Sequence, residues 1–189
     1  MIKRSDYQHA QRRAAGMIRQ AGIQVTDAET RRIDVVDFGL GQLATEGVQV
    51  FTFFATERIS ARVLVLFPNQ TEPEHWHPPV GGDPGKEEII RVIAGTVYFY
   101  IPGEDTMKEG RIPEGKGSVY TCRREMVMHP SDQLILPPGT KHWFQAPASG
   151  AVMYSFSTCV HDGLDRFSDP AIVRDTLIRE DNASDYSNI

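Results

Sequence analysis

His75-Trp76-His77 offers two imidazoles two residues apart. On an extended backbone such neighbours share one face and Trp76 takes the other. After ten intervening residues comes Glu88, a hard anionic oxygen, with Gly95 beyond it. A third imidazole, His142, follows Pro137-Pro138-Gly139-Thr140-Lys141, a proline- and glycine-rich turn that delivers it to the start of a strand. A lone His-x-His is commonly a pair of unrelated surface histidines. With the glutamate and the turn-borne histidine added, His75, His77, Glu88 and His142 form a donor set for a divalent first-row metal: Mn, Fe, Co, Ni or Zn. Lys86 stands two residues before Glu88, so in a strand both side chains point inward and Glu87 points away. Partial burial and a nearby cation both favour the neutral amine that proton transfer requires. Its plainer reading is an exposed loop lysine or one half of an ion pair.

The elements that must position these groups are strands. Residues 48–54 and 60–67 are β-branched and aromatic runs of strand length, and 89–93, 96–101, 133–136, 142–146 and 152–156 continue the pattern. Glycine and proline clusters at 78–85, 102–103, 113–117, 137–139 and 147–150 separate them. Short strands with no long helices between them predict a mainly β fold, an antiparallel jelly-roll barrel over 47–178, not βαβ units. Residues 1–46 read as a helical extension packed on that barrel or across a subunit boundary. A helix is expected over 5–21, with Ser5 as its cap and Gly22 as its stop; a second runs from a Thr26–Glu29 capping box to about Val35. Pro170 predicts a short C-terminal helix over 170–178. Residues 179–189 form a polar tail.

A length of 189 residues suits one domain with a sizeable core. The apolar (40%) and charged (24%) fractions are ordinary for a globular chain. A net charge of -5 gives no basic footprint for nucleic acid, and no apolar run is long enough for a membrane span. The basic start Met1-Ile2-Lys3-Arg4 leads into no apolar stretch, so no secretion leader is expected and the sequon at Asn182-Ala183-Ser184 carries no weight. Cys122 and Cys159 lack metal-type spacing, and free thiols in a cytoplasmic enzyme are expected.

His-x-His, a glutamate with six residues before a glycine, and a later Pro-x-Gly-x-x-His together resemble the two signature motifs of the cupin superfamily. Closer still, Phe67-Pro68-Asn69-Gln70-Thr71, Glu74 to Val80, Gly85-Lys86-Glu87-Glu88 and Pro137 to Gln145 resemble the D-lyxose isomerase family. So do Asp37-Phe38-Gly39-Leu40-Gly41 and Phe167-Ser168-Asp169-Pro170, so that the likeness spans roughly residues 20–172. The long loop between the histidine pair and Glu88 is a feature of that family.

The resemblance implies a cupin barrel and a metal-dependent aldose–ketose isomerase, manganese being the first candidate ion and Co, Fe, Ni and Zn the others. It also implies a free sugar as substrate, D-lyxose to D-xylulose first and D-mannose to D-fructose second, and a functional lysine at Lys86. Cupins commonly pair, and a homodimer is expected. A carboxylate is expected on the strand beginning at Ala151, but Ser155 stands there. Asp162, Asp165 and Asp169 lie just beyond; the first two are taken as candidates for the second acid/base, which leaves proton transfer and hydride shift both open. Trp143, Phe144 and Tyr98 are candidates for an aromatic wall against the sugar. Glu74 is expected to face solvent. Two rival readings share the pocket, an iron dioxygenase and a non-catalytic sugar-binding protein. Lys86 favours isomerisation over both.

Overall fold

The computed structural model describes residues 1–158 and 162–181. Cys159, the sequon and most of the polar tail lie outside the described residues. In chain order the elements are β1 (Ile2–Lys3), α1 (Arg4–Gln20), α2 (Asp27–Thr30), β2 (Asp34–Val36), β3 (Val48–Ala55), β4 (Ile59–Leu66) and β5 (Thr71–Trp76). There follow β6 (Glu88–Gly95), β7 (Val97–Ile101), β8 (Arg124–Met128), β9 (Gln133–Leu136), β10 (His142–Gln145), β11 (Ala151–Thr158), β12 (Arg166–Phe167) and β13 (Ile178–Arg179). Six strands pair in the order β2-β3-β4-β11-β6-β9, and five in the order β12-β5-β10-β7-β8. Their inward faces meet in a core that includes Val50, Leu64, Leu66, Ile90, Val92, Phe99, Leu136, Phe144 and Met153. This is the mainly β jelly roll that the strand pattern predicts.

Helix α1 lies on the outer face of the larger sheet. Ala10, Ala14 and Ile18 form one stripe, and the small alanines let it settle closely onto Phe51, Val63, Val65, Phe67 and Val152. Its N-terminus departs from the sequence reading. The helix begins at Arg4, and Ser5 is not its cap. Ser5 instead donates its backbone N–H (3.1 Å) and its hydroxyl (2.7 Å) to the Asp181 carboxylate, so the far end of the chain satisfies the first turn. The Thr26–Glu29 capping box is present, but α2 stops at Thr30. The β-branched run from Ile33 goes into β2, an edge strand paired with β3.

No helix forms over 170–178. Asp169 accepts the Ala171 N–H (2.9 Å) in a turn, and the chain then runs extended. The Val173 N–H donates to Phe38 O (2.9 Å) and the Thr176 hydroxyl to Val35 O (3.0 Å) before β13 pairs in parallel with β1. Ile172, Val173, Thr176 and Ile178 are β-branched, and free backbone partners on the neighbouring segments suit them better than a helix.

Residues 102–123 cover the outer face of the smaller sheet, where Tyr100, Tyr120, Cys122 and Trp143 form a third cluster. Trp143 stacks on Tyr100 and donates its indole N–H to Cys122 O (2.8 Å). Lys116 joins Glu46 (2.7 Å) to Asp169 (2.9 Å). Glu74, expected in solvent, is 1% exposed. It accepts the backbone N–H groups of Thr121 (2.6 Å) and Cys122 (2.7 Å) and the hydroxyls of Thr121 and Ser168. This carboxylate pins both the covering loop and the strap at 168 to β5.

Burial works to raise the Glu74 pKa, but the hydrogen bonds from Ser168, Cys122 and Thr121 outweigh it and hold it below its ordinary 4.5. Its stabilisation is therefore complete above pH 4.5 and fades as pH falls through the lowered folded value. Glu74→Ala should cost about 3 kcal/mol in a denaturant titration at pH 7, the scale for stripping buried donors of a charged acceptor. Glu74→Gln has no carboxyl to titrate, so its stability should lack this group's contribution to the acid-side decline.

Candidate metal centre and the cavity beside it

His75 sits on β5 and His142 begins β10, directly opposite each other across an antiparallel pair. His77 follows β5, where the turn at Gly139 donates its N–H to His77 O (2.8 Å). Glu88 begins β6 on the facing sheet and reaches across the sandwich to within 3.1 Å of His77 Nε2. The loop before it approaches His77 so closely that a Cβ on Gly85 would stand 2.6 Å from His77 O, and glycine alone fits there at φ +92°. All four side chains are buried, and the three imidazoles place one nitrogen each within 4.8 Å of one another.

The second nitrogen of each ring is already engaged. His75 Nδ1–H donates to Pro73 O and His142 Nδ1–H to Thr140 O, both at 2.8 Å. Those bonds fix the tautomer and turn each unprotonated Nε2 inward. His142 Nε2 is fully buried with no hydrogen-bond partner among the described residues. His77 Nδ1 lies 2.6 Å from Asp165 Oδ1, a carboxylate–histidine pair of the kind that orients a metal ligand. Burial, then repulsion from neighbouring imidazoles, keeps His75 well below its ordinary pKa; burial takes His142 down to about 4. Burial also opposes charge on His77, but Asp165 and Glu88 outweigh it and raise its pKa. Glu88 is held well below the carboxylate range, burial being overcome by Lys86 and His77, and its Oε1 accepts the Ser155 hydroxyl. The neutral Nε2 lone pairs of His75 and His142, converging with His77 Nε2 beside an ionised carboxylate, are donors of the kind a divalent first-row cation takes.

Lys86 is 10% exposed, with Nζ 3.8 Å from Glu88 Oε2. It lines a cavity with Arg62, Glu72, Asp162, Asp165 and Arg174, walled on the apolar side by Phe38, Leu64, Phe144 and Phe167. Asp162 is bidentate to Arg62 (2.9 Å twice) and 3.4 Å from Arg174. Burial would raise its pKa, but Arg62 dominates and lowers it. Glu72 is pushed up to about 8, by burial first and by the Glu88 charge second.

Of the residues singled out from sequence, the fold gathers His75, His77, Glu88, His142, Lys86, Asp162, Asp165 and Phe144. It does not gather Trp143 and Tyr98. Trp143 and Tyr100 are paired across β10 and β7 and face outward under the covering loop, and Tyr98 packs with that outer cluster. Alternation then puts Phe144 and Phe99 inside, where Phe99 stacks on His142 at 5.6 Å. Four cavity residues escaped the sequence reading as site groups: Arg62, Glu72, Ser155 and Arg174. Arg62 left a signal, a charge between Ala61 and Val63 at the inward position of an otherwise apolar strand. Glu72 left none, because in a regular strand it would face away from His75.

A family description of D-lyxose isomerase matches residues 7–188. The D-lyxose ketol-isomerase of Cohnella laeviribosi is 43% identical over 182 residues, 96% of this chain and 100% of that one. The D-lyxose/D-mannose isomerase of Thermosediminibacter oceani is 42% identical over 175 residues, 92% of this chain and 97% of its own. Among solved structures, the L-ribose isomerase of Acinetobacter sp. DL28 superposes with a TM-score of 0.78 at 16% identity, over 94% of this chain and 98% of that one. The L-ribose isomerase of Cellulomonas parahominis gives 0.76 at 16% identity, over 90% and 94%. At such identity the likeness speaks to the fold, a cupin-type jelly roll. A match over nearly the whole length, with relatives above 40% identity, settles the descent: the chain belongs to the D-lyxose isomerase family of enzymes.

Proposed function

We propose that this chain is a metal-dependent aldose–ketose isomerase that interconverts D-lyxose and D-xylulose, and D-mannose and D-fructose as a second pair. His75, His77, Glu88 and His142 would hold the cation, manganese first among the candidates. The observation that carries the reading is Lys86 Nζ, 3.8 Å from Glu88 Oε2 inside the cavity the centre opens onto. A dioxygenase or a passive binder has no use for an amine there. D-Lyxose and D-mannose share their configuration at C2, C3 and C4, so one pocket can present either to the same groups. Both cavity arginines are tied to Asp162, which favours an uncharged sugar over a phosphorylated one. The free thiol of Cys122 accords with a cytoplasmic setting.

Isomerisation moves one hydrogen from C2 to C1 and one hydroxyl proton from O2 to O1, with no net change in composition. Lys86 takes the C2 proton and returns it to C1, and an enediolate lies between the two transfers. His75, His77, Glu88 and His142 would hold a divalent cation, which when bound would supply Lewis-acid stabilisation of charge on the sugar oxygens. Asp165 holds the His77 ring, and Ser155 holds the Glu88 carboxylate, so neither ligand reorganises during the reaction. Phe144 offers an apolar wall to the C–H face of the sugar.

The same reading includes a homodimer. Phe54, Ala61, Phe156, Ile89 and Ile135 pair in one row across five strands of the larger sheet. They face outward, on the part of that sheet that α1 leaves uncovered. Phe54, Phe156, Ile135 and neighbouring Phe53 and Ile59 are each at least 39% exposed. Together they present about 400–500 Å² of mostly apolar surface, half or more of what one partner contributes to a standard interface. The row continues the sheet face already buried by α1, and the rim carries both charge signs in Glu57, Arg58, Glu87 and Arg91, so a second copy meets no like-charged field.

Metal analysis should find about one Mn per chain in the loaded protein and a large loss in His77→Ala; stoichiometric metal in that variant rejects the ligand set. Asp165→Asn should weaken metal binding by about 10- to 100-fold. Lys86→Met should keep the metal and lose about 10²–10⁴-fold in turnover of D-lyxose under anaerobic conditions. Exchange of the C2 hydrogen with solvent should vanish with it; turnover without exchange in the parent would indicate a hydride shift. Light scattering at micromolar concentration should give twice 21.2 kDa for the parent and the single mass for Phe156→Asp. A monomeric parent refutes the dimer.

A further inference from the structure

We infer that Glu72 is the carboxylate that accepts a substrate hydroxyl in the cavity, turned into the site by a bulge in β5. The inference rests on the isomerase reading above. His142 stands opposite His75, yet Phe144, two residues on, stands opposite Glu72, three residues back. Pro73 and Glu74 therefore share one place opposite Trp143. That extra residue reverses the alternation, so that His75 and Glu72 both face inward while Glu74 and Thr71 face out. The Gln145 amide confirms the outward side by donating to the Thr71 hydroxyl (2.7 Å).

What the bulge brings in is an acceptor with nothing to accept. Glu72 Oε2 is buried without a hydrogen-bond partner among the described residues, and the side chain is 14% exposed. Such a group is costly to bury unless a ligand completes it. The other cavity carboxylates are engaged: Glu88 with Ser155 and His77, Asp162 with Arg62, Asp165 with His77. Arg62 and Arg174 can only donate, and the Lys86 amine is given to the C2 proton. A sugar presents hydroxyl donors as well as acceptors, and Glu72 is the cavity group left to receive one. Its Oε1 lies 3.9 Å from His75 Nε2, on the metal side, so the hydroxyl it holds lies near the reacting carbons. Holding it there fixes the sugar's orientation towards Lys86.

Glu72→Gln and Glu72→Leu, each loaded with Mn, provide the test against the parent protein. With a ligand-directed Glu72, both variants keep the parent's metal content and melt at or above its temperature, because an unpaired carboxylate has been removed from a buried site. The parent's rise in melting temperature on adding D-lyxose or D-mannose should shrink, and KM should rise by about 10- to 100-fold, more in Leu than in Gln, whose carbonyl still accepts. Loss of bound Mn would overturn the inference by making Glu72 a metal ligand. A lower melting temperature with unchanged KM would overturn it by making the residue structural. Normal KM and sugar-induced stabilisation in both variants would overturn it while leaving the isomerase reading intact. A parent protein that neither turns over nor is stabilised by either sugar would overturn the isomerase reading and this inference with it.

Discussion

The site depends on where the outward nitrogens of three buried imidazoles send their protons. Pro73 O, Thr140 O and the Asp165 carboxylate each take one ring nitrogen, and the opposite nitrogen of every ring turns inward. Without those bonds a buried imidazole can flip or change tautomer, and the converging lone pairs are lost. Two of the acceptors are backbone carbonyls two residues before the histidine they serve. The histidine cluster is thus tied to the backbone path of β5 and of the turn at 137–141, and anything that shifts those paths shifts the three rings.

Much of the surrounding polar network serves that path. Glu74 anchors β5 to Thr121 and Cys122 on one side and to Ser168 on the other. Lys116 then ties the covering loop to Glu46 and Asp169. These are buried and partly buried ionic groups with satisfied partners, the arrangement in which low polarity strengthens hydrogen bonds and does not penalise them. The outer aromatic cluster around Trp143 and Tyr100 adds apolar weight to the same face. The strand that carries His75 is clamped from outside, and its inward side chains are free to be chosen for chemistry.

On the inward side the fold tolerates what a structural core does not. Arg62, Glu72, Lys86, Asp162, Asp165 and Arg174 crowd one end of a sandwich whose remainder is aliphatic and aromatic. Most of these charges neutralise one another in pairs. The bulge at Pro73–Glu74 makes the exception, exchanging regular pairing for an acid placed beside the histidines. Irregular pairing and an unpartnered polar atom at the same place mark where stability has been given up for binding.

By itself the sequence marked His75, His77, Glu88 and His142 as residues that meet at one place, and it determined the sandwich and most of its strands. His75 and His77 share a face by strand alternation alone, Pro137 to Gly139 is a turn by local chemistry, and Lys86 precedes Glu88 at the right parity. Each of these follows from residues close together in the chain, where covalent geometry leaves few choices. The resemblance to the isomerase family rested on the same short runs. Only the tertiary structure decided the rest. Asp181 caps α1 from the far end of the chain, and the segment after Pro170 runs extended because strand partners were waiting for it. Trp143 and Tyr98 face outward, and Glu74 is buried, because a loop some fifty residues away in sequence from Glu74 covers that side. Glu72 enters the cavity through one extra residue in β5. A bulge is the outcome of a pairing between two distant strands, and alternation counted along one strand cannot reveal it.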